Sequence, residues 1–78
     1  MKLKEVLKYI TGYYFIILCE NNEHVCTNHE DYLNTYPKAT EEILKQYENY
    51  KVSEINGAYD GWSSPYIDLY IDKEEDNG

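Results

Sequence analysis

The stretch "YIDLYID", Tyr66–Asp72, sets the architecture of this 78-residue chain. Ile67, Leu69 and Ile71 alternate with Tyr66, Asp68, Tyr70 and Asp72. A period of two marks a strand, because successive side chains leave opposite faces of a pleated backbone. The aliphatic residues need a core on one side. The tyrosines and aspartates stand on the other.

Upstream, residues 50–59 ("YKVSEINGAY") read as the strand that pairs with this one, across the turn "DGWSSP". Val52 and Ile55 are three apart, so a bulge or a start after Val52 is needed to keep parity. "YYFIILC", residues 13–19, is β-branched, aromatic and uncharged, which suits a central strand covered on both faces. Asn21-Asn22 in "ENNE" suit a turn, with a short return strand at residues 24–27.

Two helices complete the order. Leu3, Val6, Leu7 and Ile10 form one apolar stripe over residues 2–10, ended by Thr11-Gly12. Thr40 is placed to cap a second helix, with Glu41 and Glu42 in its first turn and Ile43, Leu44 and Tyr47 on its inner face. Between them, Tyr32, Leu33 and Tyr36 allow a single helical turn before Pro37. The expectation is one α+β domain over residues 1–72, in the order helix, hairpin, helix, hairpin. Its four-stranded sheet would be mostly antiparallel, with the helices on one face and the other open to water. Residues 73–78 would form an acidic disordered tail.

Fifteen acids face seven lysines and no arginine, for a formal charge of −8. Such a chain does not neutralise phosphates, so direct nucleic-acid binding and anionic membranes are excluded as partners. A basic protein is the complementary partner. No apolar run spans a bilayer and the N-terminus lacks a signal-peptide pattern, so a cytoplasmic protein with reduced thiols is expected. The lysine, asparagine, isoleucine and tyrosine bias is also what an A/T-rich genome encodes, so the placement of the ten tyrosines tells more than their number.

Catalytic constellations are weak. Cys19, His24, Cys26 and His29 are the right ligand types for tetrahedral zinc but have irregular spacing; if the asparagines form the turn, Cys19, His24 and Cys26 converge on one face. The competing reading is buried cysteines and solvated histidines. No acid lies in an apolar run except Asp68, which alternation points outward. There is no nucleophile elbow, phosphate loop or dinucleotide fingerprint. The chain is read as non-enzymatic, with no cofactor and no metal.

The acidic surface remains. Residues 1–19 hold three lysines and one glutamate, so the other fourteen acids and four lysines follow. Alternate residues of a strand lie about 6.8 Å apart, near the spacing of successive phosphates. Glu54, Asp60, Asp68 and Asp72 can therefore present phosphate-like charge. Tyr66, Tyr70 and Trp62 can pack on arginine planes or lysine stems. The plainer reading is that these charges only keep a small protein soluble.

The opening "MKLKEVLKYI", the apolar strand after it and the closing "YIDLYI" resemble small proteins of phages and mobile elements in low-GC Firmicutes. Some such proteins are anti-CRISPR proteins, and several acidic ones act as nucleic-acid mimics. The resemblance implies a bacterial-host cytoplasmic inhibitor whose partner is a CRISPR effector nuclease, type II favoured. It carries over no contact residues. The alternatives are a generic interaction module or homodimer using an unpaired sheet edge, and a small zinc-binding protein.

Overall fold

The computed structural model describes residues 1–10, 12–19, 23–62 and 64–73. In chain order its elements are α1 (Leu3–Leu7), β1 (Tyr14–Cys19), β2 (His24–Thr27), a 3-10 turn (Glu30–Tyr32), α2 (Glu41–Tyr47), β3 (Lys51–Ala58) and β4 (Tyr66–Asp72). The fold is α+β, with one four-stranded mixed sheet in the order β2-β1-β4-β3. β1 and β2 are antiparallel, as are β3 and β4. A parallel contact of β1 with β4 joins the two pairs. This parallel centre is absent from the sequence expectation. Its physical signal is the unbroken apolar run of β1, which suits a strand covered on both faces.

One face of the sheet carries the main core. Phe15 and Ile17 of β1, Val25 and Cys26 of β2, and Leu69 and Ile71 of β4 meet Leu3, Val6 and Ile10 from the α1 region. Ile43, Leu44 and Tyr47 of α2 close over them. α1 is shorter than its apolar stripe suggests. After Leu7 the chain tightens into i+3 bonds, with Tyr9 N–H donating to Val6 O at 2.9 Å, and Ile10 still reaches the core. Thr40 caps α2 as its residue type predicts, its hydroxyl accepting from Ile43 N–H at 3.2 Å.

Both outer pairs contain a register shift. In β3 it falls between Val52 and Glu54 and leaves Ser53 unpaired, which reconciles the odd spacing of Val52 and Ile55. In β2, Val25 is the extra residue between His24, opposite Leu18, and Cys26, opposite Ile17. Thr11, the asparagine turn at 21–22 and the tail at 74–78 lie outside the described residues. Among the described residues, no helix is long and apolar enough to cross a membrane.

Candidate functional site

The second face of β4 is built by three strands. Tyr66 lies beside Tyr14 and Ala58, Asp68 beside Ile16 and Asn56, and Tyr70 beside Leu18 and Glu54. All four outward residues of β4 are half-buried, which corrects the expectation of a face open to water. The cover comes from the polar segment after β2. Asn28 acts as an extra rung of the β1 ladder: its Oδ1 accepts from Phe15 N–H at 2.7 Å and its Nδ2 donates to Tyr13 O at 3.0 Å. The buried Thr27 hydroxyl donates to Phe15 O at 2.7 Å and accepts from His29 N–H at 3.0 Å. These short polar side chains satisfy backbone groups that no strand reaches.

The chain is thereby turned back over the sheet. The Tyr36 ring stacks on His24 of β2 with centroids 3.9 Å apart. The Tyr36 phenol is raised by burial first, then by the Asp68 carboxylate and by Tyr66 and Tyr70 on β4. A side chain that reaches from β2 to β4 crosses β1, and beneath it Ile16 and Leu18 are buried. The sequence shows Tyr32 and Tyr36 as a helical turn but not as a lid, because the contacts that hold them over the sheet, to His24, Asp60 and Tyr66, are distant in the chain.

At one end of this face a polar chain ties three segments together. Tyr66 hydrogen-bonds Tyr32, the Tyr32 hydroxyl donates to Asp60 Oδ2, and Asp60 Oδ1 accepts from Trp62 N–H at 2.8 Å. Gly61, at φ +87°, makes the turn that this requires. His29, only 2% exposed, sits against Tyr14, Tyr32 and Tyr66. Its Nδ1 accepts from Asp31 N–H at 3.2 Å, so its Nε2 carries the proton donated to Ser64 O at 3.0 Å. The loop that presents Trp62, itself 96% exposed, is thus anchored at both Asp60 and Ser64.

The seven candidate residues fall into three groups. Glu54, Asp68, Tyr66 and Tyr70 are contiguous on the β3–β4 surface. Glu54 accepts from Asn56 Nδ2 at 2.7 Å, and burial raises the Asp68 carboxyl above its ordinary value. Asp60 and Trp62 flank the Tyr66 end, where Asp60 serves as an anchor for the loop. Asp72 lies at the far end opposite Lys51, with Oδ1 buried and unbonded, and is the least suited to meet a partner.

The four zinc-ligand types do not converge. The extra residue in β2 reverses parity, so Cys26 faces the core while His24 faces Tyr36. Among the described residues, no three His, Cys, Asp or Glu side chains gather to hold a metal ion. Both cysteines are free. Burial pushes the Cys26 thiol up to about 11; burial, then the Glu23 and Asp72 carboxylates, raises Cys19.

The arrangement can present carboxylates between aromatic rings on a rigid sheet, which suits recognition of guanidinium and ammonium groups. Comparison with known protein families, curated proteins and solved structures returns no match.

Proposed function

We propose that this protein is a non-enzymatic inhibitor that binds a basic, nucleic-acid-handling protein through the face of Glu54, Tyr66, Asp68 and Tyr70. The partner that the phage and mobile-element resemblance implies is a CRISPR effector nuclease in the cytoplasm of the bacterial host. Binding would exclude DNA by occupying the arginines and lysines that otherwise hold phosphates.

The observation that carries this reading is Asp68. Its carboxylate is half-buried between tyrosines, and burial penalises its charge. A solubilising charge is expected to be fully solvated, whereas groups perturbed by burial are enriched at binding sites. Two features support it. Glu54, opposite Tyr70, lies diagonal to Asp68 at about 7–8 Å, the usual diagonal distance in a sheet. Lys2, Lys4, Lys8 and Lys45 lie in or beside the helices, and the lysine paired across from β4 is Lys51, opposite Asp72 at the far end from Tyr66.

The test is competition. Purified protein is added to a panel of guide-loaded CRISPR effector nucleases with labelled target DNA. The proposal expects tight binding to at least one of them, with loss of bound DNA. Binding that leaves DNA loaded would discard the mimicry, and no binding to any of them would discard the nuclease as partner.

A further inference from the structure

β3 is an edge strand, last in the order β2-β1-β4-β3. Residues 1–2 cover only its beginning: Lys2 bridges Lys51, and Val52 N–H donates to Met1 O at 2.8 Å. Among the described residues, no other strand or bridge lies along this edge from Glu54 to Ala58. Ile55 is at the middle of that stretch. It lies opposite Leu69, on the face that carries the core, yet it is 53% exposed where Leu69 is fully buried. An unpaired edge with an exposed isoleucine at its centre is a template for another strand.

We propose that this edge pairs with the same edge of a second copy, β3 against β3, antiparallel about Ile55, so that two sheets join into one of eight strands. The choice of a second copy rests on self-complementarity. Two copies related by a two-fold axis normal to the sheet keep their faces, and paired residues must share a face. The sum of paired residue numbers is then even, which leaves few registers for so short a stretch. Centring on Glu54 sets two carboxylates directly opposite and is rejected. Centring on Asn56 sets Ile55 against Gly57 of the other copy and buries little. Centring on Ile55 packs isoleucine on isoleucine and sets Glu54 against Asn56, a pair of side chains already hydrogen-bonded within each copy.

One strand edge is small beside the roughly 800 Å² per partner of a stable interface, so the dimer is concentration-dependent. Each copy carries a formal charge of −8, so salt screens repulsion and strengthens the dimer. That is the opposite of the salt dependence expected for a basic partner, and this inference does not rest on that reading.

Sedimentation equilibrium of the whole chain, over a range of concentrations at low and high salt, tests the pairing. The expected result is a mass rising from one copy towards two, at lower concentration in high salt. Ile55→Lys sets two ammonium groups together and weakens the dimer about tenfold or more, while circular dichroism reports an unchanged fold because Ile55 is more than half exposed. Asn56→Lys is the register test. It places the new ammonium opposite Glu54 and tightens the dimer; weakening would overturn the Ile55 register. A single-copy mass up to millimolar concentration in high salt, or a dimer indifferent to Ile55→Lys, overturns the pairing.

Discussion

Tyr66 keeps its phenol proton to about 12, against an ordinary 10.0, first because it donates to Tyr32 and then because it is buried near Asp68 and Asp60. The folded value is raised, so the stabilisation is fully present below pH 10 and is lost as pH rises through the folded value. Tyr36 and Tyr47 are also raised, so tyrosinate absorbance should show a late phase whose last phenol, near 12, is lost in Tyr66→Phe, with stability lower by about 1 kcal/mol at neutral pH for the lost hydrogen bond. A variant with the same alkaline titration as the parent would contradict the tie. Asp68 works in the other direction at neutral pH. Its raised carboxyl binds its proton more tightly when folded, so stability grows as pH falls through the folded value towards 3.8. Asp68→Asn should be more stable than the parent at pH 7, with the gain shrinking in acid. Equal denaturation midpoints at neutral pH would show that burial exacts no cost there.

At the scale of elements, the lid of residues 28–36 is what makes the second face a site and no longer a plain solvated sheet. Tyr36→Ala should uncover Ile16 and Leu18 and cost about 2 kcal/mol, less than the ~3–5 kcal/mol of a fully buried aromatic. Urea denaturation measures it, and a change within a few tenths would mean that the lid does not cover β1. The strands were legible because their cause is local: alternation gives β4, and an uncharged β-branched run gives β1. The lid was not legible. "NHEDYLNTY" reads as a polar turn, and Asn28, Thr27 and His29 act by bonding backbone groups of residues 13, 15 and 64. The zinc alternative falls for a related reason. One extra residue in β2 moves His24 and Cys26 to opposite faces, and no residue in "HVCT" announces it.

For the molecule as a whole, acids lie on both sides of the sheet. α2 carries Glu41 and Glu42 against Lys45 over the core face, and Glu54, Asp60 and Asp68 lie with the tyrosines of the other face or at its end. The outward row of β4 was readable as a candidate from sequence. Its division was not, because Asp60 is recruited to Tyr32 and Trp62, and Asp72 faces Lys51, only in the folded chain. The central claim is that the Glu54–Asp68 surface holds a basic partner by charge. The direct test is the affinity for the captured effector nuclease across a salt series, for the parent chain and for Glu54→Gln with Asp68→Asn. The account predicts affinity falling steeply with salt for the parent, and both weaker binding and a shallower salt slope for the double variant, which stays folded. Equal affinity and slope in the two proteins would contradict it.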